Sequence, residues 1–135
     1  MGSILSTLDE GKFIVKEESG MKGLFAHCSF AANAVLFEVE GEELEKPTRT
    51  SVQIGTHLHV DVDAPAKYIN HSCFPNIRLE GRKFIAKKHI AAGEEIQFDY
   101  NQNEESLSNP FPCRECGQWI KGKNYLAKYP CGRKN

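Results

Sequence analysis

Apolar residues fall in short runs broken by glycine, asparagine and charged residues, the pattern of a chain built mostly from strands. Phe13-Ile14-Val15-Lys16 predicts one strand, Glu17 to Gly23 a turn, and Leu24-Phe25-Ala26 the returning strand. Val35, Phe37 and Val39 alternate with Leu36, Glu38 and Glu40, which predicts a strand ending at Gly41 with the three odd-numbered side chains on one face. Glu42 to Glu45 reads as a charged, solvated connection, and Val52-Gln53-Ile54 as a strand stopped or bent at Gly55. From Thr56 to Asp63 the alternation is strict, with Leu58, Val60 and Val62 on one face and His57, His59, Asp61 and Asp63 on the other. Ile77-Arg78-Leu79 and Lys83-Phe84-Ile85-Ala86 flank Glu80-Gly81-Arg82 as a hairpin. Glu95 to Tyr100 alternates again, placing Ile96, Phe98 and Tyr100 together. Helix signals are scarce, with room for a turn or two between Asn124 and Tyr129.

One stretch obeys no period. Tyr68-Ile69-Asn70-His71-Ser72-Cys73-Phe74-Pro75-Asn76 packs polar groups, a thiol and a proline into nine residues. Pro75 has no N–H for a ladder and biases Phe74 away from the helical region. The Asn, His and Ser side chains can bond nearby backbone, which writes a fixed irregular loop of the kind that carries function.

Composition narrows the classes. The chain has 135 residues, enough for a modest single core, and a net charge of −1 that recruits neither nucleic acid nor an anionic membrane. No apolar run reaches the ~20 residues that span a bilayer, and no basic-then-apolar leader opens the sequence. The five cysteines (Cys28, Cys73, Cys113, Cys116 and Cys131) are therefore expected to be intracellular thiols or metal ligands, with Cys28 a buried apolar residue. An intracellular site is expected, cytoplasmic in a prokaryote and nuclear or cytoplasmic otherwise. Oligomeric state is not legible.

Several local matches compete with blander meanings. Met1-Gly2-Ser3-Ile4-Leu5-Ser6 fits an acylation pattern without the basic cluster that a second membrane signal needs, and Asn70-His71-Ser72 fits a glycosylation sequon without a secretory route. The His57/His59 pair with its neighbouring carboxylates suits either a divalent metal or the polar outer face of a half-buried strand. Cys113-Arg114-Glu115-Cys116 has the two-residue spacing of a tetrahedral zinc pair.

Asn-His-Ser-Cys-Phe-Pro-Asn at 70–76 followed by Gly-Glu-Glu-Ile-Gln-Phe-Asp-Tyr at 93–100 resembles the two signature motifs of the SET domain. That family comprises S-adenosylmethionine-dependent protein lysine methyltransferases. Gly20-Met21-Lys22-Gly23-Leu24-Phe25-Ala26 is similar to its cofactor turn, and Asn109 to Gly117 to its cysteine-rich post-SET segment. The resemblance implies a SET domain over 1–106 and a post-SET-like tail over 107–135. The implied fold is mostly β, several small sheets of β-clip type with a knot-like C-terminal threading through the loop around Asn70-His71.

The implied activity is methyl transfer to a lysine ε-amine of a basic protein or peptide, histone, ribosomal or other. The alternative is a silent module that binds cofactor or peptide. Tyr100 matches the catalytic tyrosine. Phe98 stands where the family carries Phe or Tyr, and a ring without a hydroxyl leaves room for more than one methyl. Met21, Lys22, Gly23, Tyr68, Asn70, His71, Tyr100 and Phe111 are the implied cofactor contacts. Tyr68 and Lys67 replace residues that are often Phe and Arg, and lysine offers a point charge in place of a bidentate fork. Cys73, Cys113, Cys116 and Cys131 are the implied structural zinc ligands, although Cys131 comes later than the family spacing; a three-cysteine site or free thiols stay open.

Overall fold

The computed structural model describes residues 3–8, 11–18, 20–48, 51–62, 65–104, 107, 110–113, 117 and 119–122. Among them, Ser3–Leu8 (β1), Phe13–Glu18 (β2) and Met21–Ala26 (β3) form an antiparallel meander. Val35–Glu38 (β4) precedes Gly41–Leu44 (β5), Ser51–Gly55 (β6) and Leu58–Val62 (β7). A 3₁₀ turn at Ala66–Tyr68 leads into Asn70–His71 (β8), then Ile77–Glu80 (β9) and Lys83–Ala86 (β10). Gln97–Phe98 (β11), a helical turn at Tyr100–Asn103 (α1), Phe111–Pro112 (β12) and Trp119–Ile120 (β13) complete the described elements. The other sheets run β4-β10-β9, β5-β7-β6, β8-β11 and β12-β13. No helix among the described residues is long and apolar enough to cross a membrane.

The expected β9–β10 hairpin is present, and the departures have local causes. Glu42 to Leu44 is not a free connection but part of β5, paired with β7 from Gly41↔Val62 to Leu44↔His59. Gly41 permits this, since a Cβ there would lie 2.0 Å from the Asp61 carbonyl oxygen. On β4 the alternation breaks at its start: Leu36 is buried and Val35 is 49% exposed, while Phe37 and, just past the strand, Val39 keep to the core. A register shift explains it, because Phe84 faces Phe37 while the next residue, Ile85, faces Val35, skipping Leu36. His57 lies outside β7, in the exposed turn at φ 53°, while His59 is buried, so the two share neither a metal-ready face nor a solvated one. Met21, Lys22 and Gly23 extend strand β3 instead of forming the turn. The proposed turns between Asn124 and Tyr129 lie outside the described residues.

The core is a continuous cluster that includes Phe13, Val15, Leu24, Val52, Val60, Ile77, Ile90 and Ile96. Through it runs a file of rings. Phe30 stacks on Phe13, Phe13 meets Phe37, Phe37 meets Phe84, and Phe84 meets Phe98 with centroids 5.2 Å apart. Phe98 ends the file edge-on to Tyr100 at 5.1 Å, so the packed interior sets the position of that phenol.

The 93–98 segment is gripped on both sides. Toward β3, Ala26 N–H donates to Glu94 O at 2.9 Å and Ile96 N–H to Leu24 O at 2.8 Å. Toward the irregular loop, β11 pairs parallel with β8, Gln97 with Asn70 and Phe98 with His71. Buried Asn76 completes the grip: its Nδ2 donates to Glu95 O at 2.8 Å and its Oδ1 accepts Gln97 N–H at 2.9 Å. The change Asn76→Asp would keep the acceptor but set a carboxylate against the Glu95 carbonyl. Asn76→Ala and Asn76→Asp should each lower unfolding free energy by about 2–3 kcal/mol, with Asn76→Asp the worse. Urea unfolding that shows Asn76→Asp equal to wild type would refute this account of the grip.

Candidate active site

A cleft of about 560 Å³ opens beside this grip, within the ~300–1,000 Å³ common for cofactor sites. β3 brings Met21 to it, β8 brings Asn70 and His71, α1 and its end bring Tyr100 and Glu104, and β12 brings Phe111 and Pro112. Thr48, Ser51, Lys67 and Ile69 also line it.

Asn70 is oriented by two acceptors: its Nδ2 donates to Lys22 O and to Glu95 Oε2, both at 2.9 Å. His71 sits between four groups, one of them Asp99, whose Oδ1 lies 3.8 Å from the imidazole Nδ1. Its Nδ1 accepts Tyr100 N–H at 3.2 Å, its ring meets Phe111 at 5.8 Å, and its Nε2 lies 3.6 Å from Cys73 Sγ. Because Nδ1 accepts, the neutral ring carries its proton on Nε2, facing the sulfur. Cys73 Sγ is in turn 3.5 Å from buried Cys113 Sγ.

Tyr100 donates its hydroxyl proton to Ile69 O at 2.8 Å, which leaves the oxygen lone pairs as acceptors. Burial, and then the Glu104 carboxylate, push this phenol, neutral at physiological pH in any case, further above its ordinary pKa. Glu104 itself is only 2% exposed. Its Oε2 accepts Gln53 N–H at 2.7 Å and Asn103 Nδ2 at 2.6 Å, and Oε1 lies 4.0 Å from His59 Nδ1. Asn103 Nδ2 also donates to Gln53 O at 2.9 Å. Side chains therefore serve the outer edge of β6 at Gln53 as a neighbouring strand would, which compensates a buried carboxylate.

The SET-domain profile matches residues 21–101, more than half of the chain. This chain belongs to the SET-domain family. It is 31% identical over 131 residues to a Coccidioides immitis histone-lysine N-methyltransferase described as H3 lysine-36 specific, a match covering 78% of this chain. It is 40% identical over 63 residues to human histone-lysine N-methyltransferase 2D, covering 41% of this chain. The chain spans only 13% of the fungal relative and 1% of the human one. Among solved structures, the methyltransferase domain of human SETMAR superposes with a TM-score of 0.58 at 15% identity, covering 78% of this chain and 56% of that one. KRYPTONITE, solved with mCHG DNA and SAH, gives a TM-score of 0.54 at 18% identity, covering 72% of this chain and 25% of that one. These structural likenesses establish the fold: several small sheets, almost no helix.

Within this SET domain, most of the residues expected at the site do converge. Met21, Asn70, His71, Tyr100 and Phe111 line one cleft. Lys22 enters through its carbonyl and buried Gly23 packs behind Asn70, while Phe98 lies under Tyr100, 3% exposed. Tyr68 is not among the residues lining the cleft; from the 3₁₀ turn it packs against the core with Lys67 Nζ 5.3 Å above its ring. Cys73 and Cys113 meet, joined by His71, while Cys116 and Cys131 lie outside the described residues. Cys28 is partly buried against the core. Sequence reasoning missed Asn76 as a clamp, Glu95 as a partner of Asn70, and Glu104, whose place in Asn103-Glu104-Glu105 looks like solvated polar chain.

Titration of the folded protein at the tyrosinate absorbance should reveal a phenol ionising above the ordinary range, absent from Tyr100→Phe. The sign follows from the raised folded-state pKa. Tyr100's contribution to stability is complete below the unfolded value near ~10 and is lost as pH climbs toward the folded one. Identical titration curves for the two proteins would contradict this environment.

Proposed function

We propose that this chain transfers a methyl group from S-adenosylmethionine to the ε-amine of a lysine in a basic protein or peptide. The observation that carries the reading is Tyr100, a neutral phenol in the cleft whose proton is already committed to Ile69 O. Family membership, relatives described as histone-lysine N-methyltransferases and a neighbour solved with SAH support it. The cleft suits such a cofactor in size and lining: Met21 and Phe111 offer apolar surface, and Asn70 and His71 offer polar groups. When bound, the cofactor supplies an electrophilic sulfonium methyl.

The chain's own residues then have two tasks. They must align the amine, which makes the reaction effectively unimolecular. They must also disfavour its protonated form, since an ammonium has no lone pair. Packed Phe98 and the half-buried Tyr100 ring exclude water around the amine, which lowers its pKa. The Tyr100 oxygen accepts an amine N–H and so turns the nitrogen lone pair toward the methyl. Phe98 adds no hydroxyl to hold a water there, leaving space for a second methyl. Exposed Glu42 on β5, beside Glu43 that is already paired with Arg82, gives a basic substrate an opposite charge to approach.

The tail is read as a zinc-stabilised cover over 107–135. His71, Cys73 and Cys113 place their ligand atoms within 4.8 Å of one another. The 3.5 Å sulfur separation fits two thiolates on one tetrahedral zinc, for which Zn–S bonds of ~2.3 Å give about 3.8 Å. With Cys73 and Cys113, Cys116 and Cys131 make the proposed four-thiolate set, with His71 beside it and not a ligand, and closing the site would hold Phe111 over the cleft.

Labelled S-adenosylmethionine with a panel of basic proteins should place label on lysine, and Tyr100→Phe should reduce the rate about 100-fold or more while cofactor binding persists. Phe98→Tyr should shift products toward monomethyl-lysine by mass spectrometry. Unchanged rate in the first variant, or unchanged product states in the second, would remove the corresponding role. Elemental analysis of protein purified without added metal should find stoichiometric zinc, lost in Cys113→Ser; metal-free wild type would refute the zinc site.

A further inference from the structure

Glu95 is a charged side chain beside Asn70 to which the cofactor reading gives no role. Glu95 projects from the gripped 93–98 segment to the back of Asn70, where its Oε2 accepts from Nδ2 at 2.9 Å. The same Nδ2 donates to Lys22 O, also at 2.9 Å. An amide nitrogen carries two protons, and both are taken here by acceptors that its own oxygen could not replace without placing oxygen against oxygen. Asn70 Oδ1 is consequently the end of the amide left for the cleft that Asn70 lines. The backbone is shaped for this contact. A Cβ on Gly23 would lie 2.7 Å from Glu95 Oε2 and 3.2 Å from Asn70 Nδ2, so only glycine lets the carboxylate reach the amide undisturbed.

We propose that Glu95 is a positioning residue for the cofactor: it locks the Asn70 amide so that Oδ1 accepts from an ammonium group, the amino-acid end of the ligand. This rests on the reading of the cleft as an S-adenosylmethionine site. The chemistry is selective in a testable way. A nucleoside that keeps the ammonium tail depends on the amide's orientation, and one that lacks the tail does not. Glu95 also has a negative charge behind the amide, which strengthens the acceptor facing the cleft.

Calorimetric titration with S-adenosylhomocysteine and with 5′-methylthioadenosine, which has no amino-acid tail, separates the possibilities. Glu95→Ala should weaken S-adenosylhomocysteine about fivefold or more and leave 5′-methylthioadenosine within about twofold. Glu95→Gln, which keeps an acceptor, should restore most of the loss. Combined with Asn70→Ala, Glu95→Ala should add no further loss, since the two act through one contact. Should Glu95→Ala not fold, Glu95→Asp, which draws the carboxylate back from Nδ2 by one methylene, tests the same contact, with the same selective loss expected. Wild-type affinity of the variant for both nucleosides, or equal weakening of both, would overturn the role of Glu95 while leaving the cofactor reading standing. Failure of the wild-type protein to bind either nucleoside would overturn the cofactor reading itself.

Discussion

Asn76 bonds the C-terminal segment at two points, accepting at Gln97 N–H and donating at Glu95 O, while β8 pairs with β11 just ahead of it. Nearly every feature of the cleft hangs on this grip. It sets Phe98 beside His71, brings Glu95 to Asn70, and delivers Tyr100 at the point where the strand gives way to α1. Two strand residues on each side would be a weak contact by themselves. They are stable because β3 holds the opposite edge of the same segment and the ring file from Phe30 to Tyr100 fills the space beneath.

A second constraint is electrical. Glu104 is buried under the cleft and is tolerated because Gln53 N–H, Asn103 and His59 surround it. That arrangement ties α1 to β6, and its carboxylate adds to burial in raising the pKa of the nearby phenol. His71 makes a comparable link on the other side. One imidazole meets the Tyr100 backbone, the Cys73 sulfur and the Phe111 ring, so β12 and the cleft share a single side chain.

Much of this was legible along the chain. Short alternating runs and turn residues announced a mostly β protein, and the β9–β10 hairpin fell where Glu80-Gly81-Arg82 placed it. The irregular loop at 68–76 marked the site because its residue types can be reconciled with no regular element. Resemblance to the SET signature motifs then named Asn70, His71, Phe98 and Tyr100, which the fold brings together. Periodicity failed where a partner strand decided the outcome. Leu36 took the inward place from Val35 through a register shift, and Glu42 to Leu44 became a strand because β7 offered an edge and Gly41 let it approach.

The sequence by itself therefore determined which residues have the chemistry for the cleft, since side-chain type and local backbone preference are properties of single positions. Only the tertiary structure decided which of them face it. Tyr68 turned to the core, Glu104 was drawn inward from a polar run, and Glu95 found the Asn70 amide. Burial, hydrogen-bond partnership and a shifted phenol pKa arise from groups far apart in the chain, and the free energy of each depends on neighbours that folding alone brings together.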